Sequence, residues 1–160
     1  MKEIELVNGK GYALVDDDDY EELSQYKWYA LSSDRYTTYA WRKSRRDDGR
    51  ITVRMHRQIM DAPAGKQVDH INHDGLDNRR ENLRLCSPSQ NMRNSRKRKG
   101  TSSRYKGVYW QKDRSAWRAQ AYLNGKLIYL GTFRDEDDAA RAYNDWLAEN
   151  APRFGTFNDV

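Results

Sequence analysis

The sequence predicts an α+β chain of two modules. An N-terminal small β-sheet scaffold runs into a strand–loop–strand–helix frame, and a three-stranded antiparallel sheet packed on one helix comes after it. Three observations carry this. Short runs of alternating apolar and polar residues fill the first half, cut by Asn-Gly and Asp-Gly turns. A strongly signalled helix start, Ser87-Pro88, comes after two short strand-like runs. In the last third, period-two patterning gives way after Phe133 to helical spacing.

Each element can be justified in order. Residues 3–7 and 11–15 read as strands around Asn8-Gly9-Lys10-Gly11, a hairpin-like turn. A short helix is expected from about Tyr20 to Gln25. Aromatic strand-like runs follow at 27–30 and 36–41, and 50–55 alternates at period two after Asp48-Gly49. The aromatics of this scaffold are expected in the core rather than on a stacking surface. His56 reads as an anchor of a strand–helix junction. Val68 then precedes Asp69-His70, and the Gly/Asn/Asp-rich turn 71–78 carries His73, read as structural. Asn82-Leu83-Arg84-Leu85 is strand-like. Ser87 suits the N-cap, Pro88 the first helical position, and Gln90 is spaced to close a capping box. Asn91 falls one turn into that helix. Such a frame can bring a carboxylate, an imidazole and an amide oxygen together, a set suited to metal-assisted phosphodiester cleavage.

The stretch 97–103 is polar, contains glycine and lacks periodicity, so it reads as a basic linker between a first domain, 1–96, and a second, 104–160. In the second, 105–110 and 116–123 read as strands, and Asn124-Gly125 is a strong hairpin signal leading into 126–131. Ala139, Ala142, Tyr143, Trp146 and Leu147 then fall on one helical face, with Asp135 as N-cap. One sheet face would meet that helix and the other would be left open. Trp117 reads as core packing.

Composition narrows the function. The 160 residues carry a net charge of +5, a pI near 9.3 and a mean hydropathy of −1.14, and 12% are aromatic. No apolar stretch reaches membrane length and the N-terminus lacks a signal-peptide core, so no membrane partner is expected. Cys86 is the single cysteine, which excludes an internal disulfide and a Cys-rich zinc site, and suits a reducing cytoplasm. Basic residues concentrate at Arg93, Arg96, Lys97, Arg98, Lys99, Arg104 and Lys106, with no acid among them. That run points to a nucleic-acid backbone. The acidic runs 16–19 and 135–138 precede helical patterns, so capping and macrodipole roles explain them.

Residues 69–91 resemble the HNH (ββα-metal) nuclease motif, in the variant whose last His is an Asn. The segment 55–63 resembles the lead-in of phage-type HNH homing endonucleases. The resemblance implies a ββα-metal nuclease motif in which His70 is the general base that deprotonates water. Asp69 and Asn91 would hold one divalent cation, Mg²⁺ or Mn²⁺, and Asn82 would brace the loop and orient His70. The chemistry agrees with the residue types. A neutral imidazole with a pKa near 6.5 is a suitable base at pH 7, and oxygen donors suit a hard cation. Arg84 is a candidate phosphate clamp, with an ordinary surface role as its alternative.

Residues 104–158 resemble the Apetala-two/ethylene-response-factor type of DNA-binding domain, through Tyr105-Lys106-Gly107-Val108, Trp117, Asn124-Gly125, residues 130–133 and residues 139–143. By that resemblance the open sheet face enters a DNA groove. The residues expected to face DNA are Lys106, Tyr109, Gln111, Arg118, Gln120, Tyr122, Lys126, Tyr129 and Thr132. Several positions that are Arg or Trp in the plant members are Tyr, Gln or Leu here, so the base preference does not carry over. The two resemblances together imply a phage- or bacterium-encoded homing-type endonuclease, monomeric and cytoplasmic in a bacterial host cell, acting on double-stranded DNA. A DNA-binding regulator with an inactive nuclease motif is the alternative.

Overall fold

The computed structural model describes residues 1–7, 9–32, 37–46, 49–97 and 100–160. Asn8, Tyr36 and Asp48, from three of the expected turns and strands, and Arg98 and Lys99 lie outside the described residues. The chain gathers into two compact units, Met1–Ser87 and Pro88–Val160.

The first unit is built on a five-stranded sheet of order β2-β1-β3-β4-β5, formed by β1 (Lys2–Val7), β2 (Tyr12–Val15), β3 (Trp28–Ser32), β4 (Thr38–Arg46) and β5 (Gly49–Arg54). β1 and β3 run parallel because α1 (Asp17–Leu23) carries the chain across between β2 and β3. The other neighbours are antiparallel. α1 begins three residues before the expected Tyr20. Its acids serve more than their own helix: Asp16 makes no side-chain cap, and its Oδ2 instead accepts from the Arg80 amide at 2.7 Å, while Asp19 pairs with the Arg80 guanidinium. α2 (Met55–Ile59) follows β5 directly, with His56 buried on it.

Alternation along β1 and β2 points Ile4, Leu6, Ala13 and Val15 inward, where they meet Leu23, Trp28, Ala40, Met55 and Ile59. Trp28 is fully buried and its indole N–H donates to Leu23 O at 2.8 Å, so its polar edge is satisfied. The scaffold's aromatics do not all follow it: Tyr29 and Trp41 pack together on the opposite face, half-buried, with ring centroids 5.8 Å apart. A separate two-stranded ladder, β6 (Gln67–His70) with β7 (Leu83–Cys86), adds Val68 and Leu83 to the same core. Its connecting loop is stitched to β2 through Leu14 N to Leu76 O and Asn78 N to Leu14 O, both 2.8 Å. The hairpin is thereby fixed to the scaffold at its strands and at its loop.

In the second unit β8 (Val108–Gln111), β9 (Ala116–Leu123) and β10 (Lys126–Phe133) form an antiparallel sheet under α4 (Glu136–Asn150). Asn124 and Gly125 both take positive φ, the geometry an Asn-Gly hairpin turn requires. Asp135 caps α4, accepting from the Asp137 and Asp138 amides. Small residues let the helix sit close: Val108, Ala119, Ala139 and Ala140 make one cluster, and Ala121, Tyr143, Leu147 and Ala151 another. Gly107 is needed twice, for its φ of +78° and because a Cβ there would lie 2.2 Å from the Tyr143 ring.

Helix α3 (Pro88–Asn94) starts at Pro88 as its signals predict, but it is fastened within the second unit. Lys106 Nζ donates to the carbonyls of Met92, Arg93 and Ser95, and Thr156 Oγ1 donates to Asn94 O at 2.8 Å. The sequence grouped this helix with residues 1–96; its contacts group it with the second sheet and the C-terminal segment.

Candidate active site

The β6–β7 ladder sets the site. Asp69 stands opposite Arg84 and His70 opposite Leu83. Adjacent residues of a strand point to opposite faces, so Asp69 and His70 meet different neighbours. Asp69 is 5% exposed, and its Oδ2 takes both the Arg84 Nε at 2.8 Å and Nη2 at 2.7 Å. Arg84 is thus committed to the carboxylate beside the predicted base. Charge-assisted bonds of this kind hold a buried carboxylate in place.

His70 is buried between Tyr39 and His56, with ring centroids 5.6 and 5.0 Å away. Its Nε2 lies 3.4 Å from Asn78 Oδ1. The Asn78 amide nitrogen donates to Leu76 O at 3.1 Å, which turns the amide oxygen toward the imidazole. An amide oxygen only accepts, so the His70 tautomer that uses this contact carries its hydrogen on Nε2. Burial lowers the His70 pKa below its usual value, opposed by the Asn78 bond and by the charge of Asp69. The imidazole is therefore neutral at pH 7, the state a general base needs.

The loop 71–82 is held by its own short polar side chains. Asn82 Oδ1 accepts from the Asn72 amide at 3.0 Å, and Asn82 Nδ2 donates to Asp77 O at 2.7 Å. Asn72 Nδ2 donates to Asp77 Oδ2, and Asp77 in turn holds Arg79, whose guanidinium pulls its carboxyl below the usual range. Asn72 and Asp74 accept from amides two residues on, an arrangement typical of Asx turns. Gly75 brings the loop against Tyr39, since a Cβ there would lie 2.4 Å from Thr38 O and 2.7 Å from the Tyr39 ring. Asn78, Tyr39 and His56 are the site residues that sequence reasoning missed. Asn78 lay inside the quoted turn, and only its proximity to His70 distinguishes it from its neighbours. His56 stands at the strand–helix junction, as expected, and its ring also packs against His70.

Residues 61–93 match the HNH endonuclease family. Over 156 residues the chain is 33% identical to an uncharacterized HNH endonuclease of Acanthamoeba polyphaga mimivirus, covering 97% of this chain and 79% of that protein. The chain belongs to the HNH endonuclease family. Protein 3.8 of Escherichia phage T7 is 36% identical over 78 residues, covering 46% of this endonuclease and 64% of the phage protein. An AP2/ERF and B3 domain-containing transcription factor of Arabidopsis thaliana is 46% identical over 56 residues, which is 35% of this chain and 16% of the plant protein. No solved structure matches.

Oxygen donors suit a hard divalent cation. In the first unit Asp69 carries a buried carboxylate bound by Arg84; Asn91 lies half-buried on α3, in the second unit. Among the described residues no three His, Cys, Asp or Glu side chains gather into a cage.

The residues expected to face DNA are distributed unevenly. Tyr109, Gln111, Arg118, Gln120, Tyr122, Tyr129 and Thr132 share the sheet face away from α4. Arg118 lies beside the Tyr109 and Tyr129 rings, at 5.8 and 5.0 Å, and its buried Nε finds no partner. Tyr109 donates to Gln120, and Tyr129 bonds Thr132. Lys126 pairs with Leu123 and falls on the alternate face, so Leu127 takes the place expected for it. Lys106 spends its amine on α3, Lys97 Nζ bonds Val108 O, and Arg104 pairs with Asp137. Arg96 is exposed, and Arg93 bonds Ser89. Among the described residues no helix is long and apolar enough to cross a membrane.

Proposed function

We propose that this endonuclease is of homing type and hydrolyses phosphodiester bonds in duplex DNA with one divalent cation, Mg²⁺ or Mn²⁺. The observation that carries the reading is the setting of His70: buried against Tyr39 and His56, with its Nε2 3.4 Å from Asn78 Oδ1. In this reading Nδ1 takes the proton from the attacking water, while Asn78 accepts the Nε2–H bond and stabilises the imidazolium that forms. Asp69 and Asn91 are the residues assigned to hold the cation. When bound, it stabilises charge on the phosphate and on the leaving 3′ oxygen. Arg84 keeps the Asp69 carboxylate oriented, and Asn82 keeps the loop that carries Asn78 in place. The products are 5′-phosphate and 3′-hydroxyl ends.

Target recognition falls to the open sheet face of the second unit, with Tyr109, Gln111, Arg118, Gln120, Tyr122, Tyr129 and Thr132 toward the bases. Arg93, Arg96, Lys97 and Arg104 of the described basic residues serve the backbone. The protein acts as a monomer. In this reading the nuclease module runs to residue 96, the linker spans 97–103 and the recognition module 104–160.

Supercoiled plasmid bearing the gene's flanking DNA, incubated with Mg²⁺ at low salt, tests this. Conversion to nicked or linear form is expected with wild type, is abolished by EDTA, and is slowed roughly 10²–10⁴-fold by His70→Ala. Equal cleavage by wild type and His70→Ala would remove His70 as the base. Tight duplex binding without cleavage by wild type would make the protein a DNA-binding regulator.

A further inference from the structure

Alternation along β3–β5 separates two faces. Ala30, Ala40 and Val53 turn to the core, whereas Tyr29, Trp41, Lys43, Arg45, Arg50 and Arg54 stand on the opposite face. Lys43, Arg45, Arg50 and Arg54 are exposed, and none of them has an ion-pair partner among the described residues. The register stacks Trp41 beside Arg54 and Arg45 beside Arg50, with Lys43 between on β4. The acids on this face, Glu3 and Glu5, stand on β1, two strands from β4 and so about 10 Å or more away. Over residues 42–54 the sequence has six cations and two acids, Asp47 and Asp48, which lie outside the described residues.

The patch is continuous with the catalytic hairpin. The Arg54 guanidinium lies over the Tyr39 ring at 5.9 Å, and that ring is 5.6 Å from His70. β5 is an edge strand, and edge charges deter unwanted strand pairing. That role does not explain Lys43 and Arg45, because β4 is paired on both sides and acids would deter pairing as well as cations do. The sorting of one sign onto one face, leading to the base, fits a polyanion.

We propose that this face of the N-terminal sheet is a second DNA surface, which clamps the phosphates flanking the scissile bond. It rests on the reading of the protein as a DNA endonuclease and goes beyond it: the sheet expected to be scaffold holds the backbone beside His70. Lys43, Arg45 and Arg50 supply sequence-independent affinity, Arg54 links the track to the catalytic wall, and the Tyr29–Trp41 pair gives the sugar–phosphate chain a flat floor.

The test is duplex binding by fluorescence anisotropy in EDTA, across a salt series, with the full-length protein. The triple variant K43Q/R45Q/R50Q is expected to bind about tenfold more weakly, and its slope of log affinity against log salt is expected to be shallower by about 2 to 3. The single variants Lys43→Gln and Arg50→Gln should each remove about 1 from that slope, a check that does not depend on the triple variant's stability. Unchanged slopes, with wild-type binding and cleavage intact, would overturn this proposal and leave the parent reading standing. A wild type that neither binds nor cuts duplex DNA would overturn both. Tighter wild-type binding to an RNA duplex of the same sequence, lost in the triple variant, would overturn DNA as the occupant.

Discussion

The two units bury different kinds of residue. Residues 56–82 enclose His56, Asp69, His70, Asp77, Asn78 and Asn82, each no more than 6% exposed. The second unit, 73 residues long by its bounds, encloses Asn94 and Ser103 as its buried polar residues among those described, and otherwise Ala, Val, Leu and Tyr. Buried polar groups cost free energy unless they are hydrogen-bonded, so the interior of the first unit depends on its hydrogen-bond network. The second spends its interior on packing and keeps its polar atoms for an open face. Substitutions inside the first should thus register in chemistry and pH response, and those inside the second in stability.

The largest stability effect is expected where nothing polar is involved. Leu147 is fully buried under the sheet, against Tyr143 and Ala121. Leu147→Ala should destabilise the second unit by about 3 kcal/mol, read by thermal or urea denaturation. Plasmid cleavage per folded molecule should be unchanged well below the transition. A loss of cleavage in fully folded protein would show that the division of labour between the units does not hold.

A smaller effect comes from His56. Burial, then the charges of His70, Arg54 and Arg57, push its imidazole down to about 3, and its Nδ1 has no hydrogen-bond partner. The unfolded chain takes up a proton near pH 6.5 while the folded chain refuses it. Stability attributable to this residue is therefore complete above pH 6.5 and is lost progressively as pH falls toward 3. From pH 6.5 to 4.5 the loss should be about 2 kcal/mol. His56→Phe, which keeps a ring against Tyr39, should flatten that slope. A variant as acid-sensitive as wild type would assign the effect to other groups.

The same contrast explains what the sequence could reveal. Asn124-Gly125, Asp135 and Pro88 act through backbone neighbours within a few residues, so turn, cap and helix start could be read directly. The strands of both sheets were legible from alternation. What escaped depends on distant partners. Arg80 sits over sixty residues from Asp16 and Asp19, and it takes the acids expected to cap α1. The partners of Lys106, carbonyls at and just past the end of α3, come from another element and leave no local mark on the sequence around it. A bulge at Leu130 lets Tyr129 and Thr132 share the open face, but Lys126 lies ahead of it and cannot join them. The surroundings of His70 show this most clearly. Tyr39, His56 and Asn78 reach His70 from a strand, a helix and a loop, and no spacing rule joins them.

The finest effect tests those surroundings directly. In the proposed mechanism His70 acts as a base only when deprotonated, so its lowered pKa should put the acid limb of the cleavage pH profile below 6.5. Asn78 raises that pKa against the effect of burial, and it does so as a neutral acceptor. Asn78→Ala removes the acceptor and should move the acid limb to still lower pH, with a rate loss of about tenfold at pH 7.5 from a ring no longer held in one tautomer. Asn78→Asp places a negative charge at the same position and should move the limb the other way, to higher pH. Opposite displacements in the two variants are the signature of a hydrogen bond to the base, because loss of packing alone would slow both enzymes without shifting the limb in opposite senses. If both limbs stay where wild type has them, Asn78 holds the loop and not the proton.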